Sequence, residues 1–92
     1  MSIETTVFTF KISVPYEEWA AVYDSEENIK MMKETGMTCL YKGVKKDDPT
    51  SVIVIEQGEE GKAIAMFKDP EVKPLIESAG HIYDSTVISS YF

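Results

Sequence analysis

Ser51-Val52-Ile53-Val54-Ile55-Glu56-Gln57 is the stretch on which the fold turns. Its four consecutive β-branched residues suit a pleated strand, where side chains stiff at χ1 pack well. They also place an apolar side chain on each face of that strand. A strand with one face to water alternates apolar and polar positions, and this one does not. The sheet that holds it therefore needs cover on two sides. The bias extends beyond this segment: 17 residues of the chain are Ile or Val, and only Leu40 and Leu75 are Leu.

Upstream, Met37–Val44 reads as the preceding strand. Lys45-Lys46-Asp47-Asp48-Pro49-Thr50 reads as the hairpin loop between the two. The first strand runs from Ile3 to about Val14, with Phe8, Phe10 and Ile12 alternating against Val7, Thr9 and Lys11. Pro15 suits a first helical position, and Glu17 and Glu18 sit where the helix dipole favours acids. Trp19, Val22 and Tyr23 then form one apolar stripe. Asp24-Ser25 interrupts it, Ser25 caps a second segment with Ile29 and Met32 inward, and Gly36 stops that segment.

Downstream, Gly58-Glu59-Glu60-Gly61 opens a helix with Ile64 and Phe67 inward, and Asp69-Pro70 restarts it. Val72, Leu75, Ile76 and Ala79 recur at helical spacing before Gly80 ends the run. Pro74 inside this stretch predicts a kink or a one-turn shift of the start. The last strand spans about Ile82–Tyr91, with Tyr83, Val87 and Tyr91 on one face and Ile82 and Ile88 on the other. The order β-α-β-β-α-β predicts an α+β, ferredoxin-like arrangement over a single domain, residues 1–92. It is a four-stranded antiparallel sheet with two kinked or broken helices on one face. One helical layer cannot cover both faces of the sheet, and the simplest second cover is another copy of the chain. A homodimer packed sheet against sheet is expected.

Charge narrows the partners. The chain carries 9 Lys, no Arg and 16 Asp+Glu, for a net charge of −7. Nucleic acid and anionic membrane surfaces need cations this chain lacks, so neither is expected as a partner. The acids concentrate in residues 47–92, which carry −6 of the total. The N-terminal Met1-Ser2-Ile3-Glu4 shows no secretory pattern and no apolar run reaches membrane-helix length, so a cytoplasmic location is expected.

Pro15-Tyr16-Glu17-Glu18-Trp19, the Asp48-Pro49 hairpin, and Ala65-Met66-Phe67-Lys68-Asp69-Pro70 followed by Ala79-Gly80-His81 resemble the dimeric α/β-barrel superfamily. That superfamily includes antibiotic-biosynthesis-monooxygenase-like and stress-responsive barrel proteins, and the likeness is nearest to one of its families of unknown function. The resemblance covers most of the chain, and its motifs are packing motifs. It implies a barrel formed by two sheets across a dimer, with a pocket in each subunit between helices and sheet. Monooxygenase-like relatives work there without metal or flavin on an activated aromatic substrate. Haem-degrading members use an Asn, a Trp and a His together; Asn28, the only Asn here, falls on the polar side of its helix, so the sequence does not place that trio.

Trp19, Tyr23, Tyr41, Phe67 and Tyr83 are the candidate pocket residues, with His81 as the single imidazole and the weak catalytic candidate. Aromatic residues at such spacing also serve as plain core, and a histidine after a helix-stopping glycine also serves to bond helix-end carbonyls from a partly exposed loop. Glu56 closes an apolar strand and is a base if desolvated, although strand ends are commonly exposed. Cys39 has no partner for a disulfide, and no set of residues has metal-ligand spacing or a cofactor motif, so no metal or cofactor is expected. Three readings follow: binding of a small apolar or neutral molecule in the pocket, a non-catalytic dimeric interaction or stress-response module, or a cofactor-free monooxygenase-like enzyme.

Overall fold

β1 (Ile3–Ile12) and β3 (Asp48–Glu59) pair antiparallel at the centre of a four-stranded sheet, in a computed structural model that describes residues 2–92. β2 (Thr38–Lys45) flanks β3 and β4 (His81–Tyr91) flanks β1, giving the order β2-β3-β1-β4 with every pairing antiparallel. Each connection from strand to strand through helix is broken in two. α1 (Tyr16–Tyr23) is followed by α2 (Glu26–Thr35), and α3 (Lys62–Lys68) by α4 (Lys73–Ser78).

The breaks fall where local chemistry requires them. Ser25 caps α2, its hydroxyl accepting from the Asn28 amide, and Gly36 closes that helix in the left-handed region at φ 74°. Asp69 Oδ1 accepts from the Glu71 amide in the turn between α3 and α4. Pro74 lies in the first turn of α4, where its missing N–H costs no helical bond, so the helix starts late and does not kink. Ile29, expected inward on α2, is 55% exposed, and Met32 alone carries the burial of that helix. On α3 the inward residues are Ala63 and Phe67, with Ile64 half-buried.

All four helices lie over one face of the sheet. The core joins Phe8, Phe10 and Ile12 of β1 and Val52 and Val54 of β3 to Trp19, Met32, Ala63 and Phe67. The other face is largely apolar and bare: Ile53 and Ile55 are half-exposed, and Tyr41, Ile82, Val87 and Tyr91 are exposed.

Of three register shifts in the ladders, one lies at the β2–β3 hairpin between Val44 and Lys45, and the other two redistribute candidate side chains between the faces. In β2, Cys39 opposes Glu56 but Tyr41 opposes Ile55, so one extra residue is inserted at Leu40. A bulge of this kind turns the residues beyond it to the other side. In β4, Ile82 opposes Lys11 while Val87 opposes Thr9, so four residues of β4 span one of β1. The expected grouping of Tyr83 with Val87 and Tyr91 therefore does not form. His81, Tyr83 and Ile88 face the helices, and Ile82, Val87 and Tyr91 face away. The hairpin between β2 and β3 is also tighter than expected, because Asp48-Pro49-Thr50 joins β3 and leaves Lys46-Asp47 as the turn. Among the described residues no helix is long and apolar enough to cross a membrane.

Candidate functional site

The α1–α2 pair and the α3–α4 pair leave a cleft between them, floored by the sheet. Its volume is about 300 Å³, at the lower end of the ~300–1,000 Å³ range of small-molecule sites. Phe8, Phe10 and Val54 line the floor, Trp19 and Tyr23 one wall, and Ala63, Phe67 and Ala79 the other. Val22 and Leu75, 44% and 56% exposed, flank it with apolar surface.

Three polar groups of this lining sit deepest in its aromatic part, with Ser25, Glu27, Asn28 and Ser78 also lining the cleft. Glu56 is 5% exposed, and its Oε2 accepts from the Tyr23 hydroxyl at 2.6 Å. Burial raises the Glu56 carboxyl above its usual range, and the Tyr23 bond opposes that shift. Burial and the neighbouring Glu56 charge push the Tyr23 phenol far above its ordinary value, so it stays protonated and serves as a donor. Cys39 lies opposite Glu56 on β2.

His81 is the third group. Gly80 stands at φ 92°, and its carbonyl accepts from the Ser13 amide at 2.8 Å, which ties the end of the α4 segment to the end of β1. That turn delivers His81 onto β4 facing inward. Its ring stacks on Phe10 with centroids 3.7 Å apart and planes 6° apart, and Nε2 lies 2.7 Å from Thr86 Oγ1. Burial lowers its pKa to about 4, so the imidazole is neutral at pH 7. The sequence favoured a partly exposed loop histidine bonding helix-end carbonyls. Instead the side chain is 8% exposed and bonds a strand hydroxyl.

Of the candidate residues, Trp19, Tyr23, Phe67 and His81 line the cleft together. Tyr83 lies behind it, stacked on Phe67 at 4.6 Å with its hydroxyl donating to the Phe67 carbonyl at 2.9 Å. It buttresses the wall and is not among the lining residues. Tyr41 is on the opposite face of the sheet, turned there by the bulge at Leu40. Two lining residues were underread in the sequence. Glu56 is buried despite its place near a strand end, because β3 continues to Glu59 and α1 covers it. Asn28 lines the cleft, and its Nδ2 donates to the Tyr23 carbonyl at 2.6 Å across the α1–α2 break. A polar residue that bridges a helix break gives no periodicity signal.

Solved structures share this architecture. SnoaB, a cofactor-independent oxygenase from Streptomyces nogalater, superposes with a TM-score of 0.69 at 14% identity, over 100% of this chain and 93% of its own. A monooxygenase of Streptomyces coelicolor, solved in complex with nanaomycin D, gives 0.60 at 18% identity, covering 96% of this chain and 84% of that one. A dimeric protein of unknown function and ferredoxin-like fold from Bacteroides fragilis gives 0.57 at 15% identity, covering 97% and 94%. At these identities the likeness establishes the ferredoxin-like α+β fold and nothing finer. No curated protein sequence matches the chain. The family model described as "Domain of unknown function (DUF3764)" matches residues 3–92, and the chain belongs to that family.

Proposed function

We propose that the protein binds a small, largely apolar molecule in the cleft between its two helix pairs and the sheet, and that it does so as a homodimer. The cleft itself carries the reading: about 300 Å³ of space walled by aromatic rings, with the Tyr23–Glu56 pair and a neutral His81 as its buried polar groups. Apolar walls supply affinity and sparse polar groups fix orientation. Support for the dimer comes from the bare apolar sheet face and from the ferredoxin-like relative described as dimeric.

Trp19, the single tryptophan of the chain, lines the cleft and is 3% exposed, so its emission reports on occupancy. Titration with the neutral probe N-phenyl-1-naphthylamine is expected to quench Trp19 saturably and to raise the melting temperature, since a ligand that binds only the native state stabilises it. Ser78 is exposed and lines the cleft, so Ser78→Phe is expected to block the probe without disturbing the core. Probe binding unchanged by that substitution would place the site elsewhere.

Catalysis in the same cleft is a second reading, favoured by the two oxygenases among the fold neighbours. It calls for oxygen uptake that depends on the protein and disappears with Ser78→Phe.

A further inference from the structure

The charge of the cleft specifies its ligand further. Of the two carboxylates that line it, Glu27 is exposed and Glu56 is 5% exposed; no lysine lines it. Lys42, whose ammonium lies 5.9 Å from the centre of the Tyr23 ring, is held by Asp24 at 3.1 Å. Glu56 thus has one hydrogen-bond partner, the Tyr23 hydroxyl on Oε2, and among the described residues nothing donates to Oε1. Among the described residues no buried side-chain polar atom is sealed in without a partner, so Oε1 has an opening, and Glu56 lines the cleft.

A carboxylate so far removed from water and bonded once is short of compensation. Beside it stands the Tyr23 ring, stacked on Trp19 with centroids 5.1 Å apart, and the negative faces of such rings attract cations, most strongly where water is excluded. An anion would meet two carboxylates and no cation. A neutral alcohol would satisfy Oε1 but leave the charge uncompensated. Only a cation answers both the free oxygen and the rings.

We propose that the ligand is a primary amine on a flat apolar body, bound as the ammonium ion, with an N–H donating to Glu56 Oε1 and the apolar part against the aromatic walls. This rests on the cleft being a ligand site, as proposed above.

Three optically quiet probes on one phenylethyl body test it through Trp19 emission at about 0.15 M salt, where exposed charges are screened beyond about 8 Å. They are 2-phenylethylamine, 2-phenylethanol and 3-phenylpropionate. The amine is expected to bind at least ten-fold more tightly than the alcohol, and the carboxylate not to bind. Glu56→Gln keeps the shape and an acceptor for Tyr23 but removes the charge. It is expected to bring amine and alcohol affinities within two-fold while alcohol binding persists, which also shows that the variant is folded. Equal binding of amine and alcohol by the wild type overturns the proposal and leaves the cleft reading standing. An amine preference that survives Glu56→Gln overturns it as well, because Glu27 or the surface charge of the chain would then be its source. Failure of all three probes to bind overturns the cleft reading and this proposal together.

Discussion

The Tyr23 hydroxyl donates to Glu56 Oε2 at 2.6 Å, joining the last residue of α1 to a strand in the interior of the sheet. Each group covers the other's liability. Alone, a buried carboxylate lacks the water that stabilises its charge, and a buried phenol lacks an acceptor. Because the bond crosses from helix to sheet, it also fixes one wall of the cleft against its floor.

Removing one partner is therefore worse than removing both. Tyr23→Phe leaves Glu56 buried without its donor and is expected to lower unfolding stability by about 1–3 kcal/mol at pH 7. Glu56→Gln retains an acceptor and is expected to cost less. In a double-mutant cycle by urea denaturation, the two losses are expected to fall short of additivity by more than the ~0.3–0.5 kcal/mol typical of independent sites. Additive losses would mean that the bond couples nothing.

His81 gives the stability curve a defined acid limb. Its folded pKa of about 4 lies below the ordinary 6.5, so the unfolded chain binds a proton that the native imidazole refuses. Stability from this group is full above about pH 6.5 and is lost as pH falls toward about 4, with a slope of at most ~1.4 kcal/mol per pH unit. Glu56 acts in the opposite sense: its raised pKa stabilises the fold at acid pH and withdraws that stability as pH climbs through the folded value. Because His81 is the only histidine, its ring protons are a single resolved set in the NMR spectrum. Their titration midpoint is expected near 4, and a midpoint near 6.5 would mean that the ring is solvated and not stacked on Phe10.

The order of elements was legible because it rests on local signals: the Ser25 cap, the Gly36 stop, the alternation of Phe8, Phe10 and Ile12. What failed was the bookkeeping of faces. Period-two counting assumes an unbroken strand, and the extra residue at Leu40 and the four-against-one stretch before Val87 each reverse the count. Tyr41 left the cleft for that reason, and Tyr83 parted from Val87. Neither irregularity has a glycine or proline to announce it. The burial of Glu56 was hidden differently, since it depends on a helix residue 33 positions away.

Two glycines separate the cost of backbone conformation from that of contact. Gly36 (φ 74°) has nothing within 4 Å of where a Cβ would stand, whereas at Gly80 (φ 92°) a Cβ would meet Val14 Cγ2 at 2.5 Å. Gly36→Ala is expected to cost only the left-handed backbone term, about 1–2 kcal/mol. Gly80→Ala adds a clash in the turn that delivers His81, and is expected to cost more and to raise the His81 titration midpoint. Equal melting temperatures for the two variants would show that the Val14 contact yields without penalty.

The bare sheet face is where the proposed dimer is tested. Val87 is 62% exposed and opposes Thr9, whose other neighbour is Ile53, so it stands on the edge strand of the apolar surface opposite the helices, beside the two central strands. A carboxylate there is harmless to an isolated subunit but becomes an unpaired buried charge if a second copy covers the face. The wild type is expected to scatter light as twice 10.4 kDa at micromolar concentration, and Val87→Asp as 10.4 kDa with its far-UV circular dichroism unchanged. Ala65→Asp, at an exposed position of α3 on the helix side of the sheet, serves as the control and is expected to leave the proposed dimer intact. A Val87→Asp protein that still scatters as a dimer would move the interface off the sheet, and a wild type that scatters as 10.4 kDa would remove it.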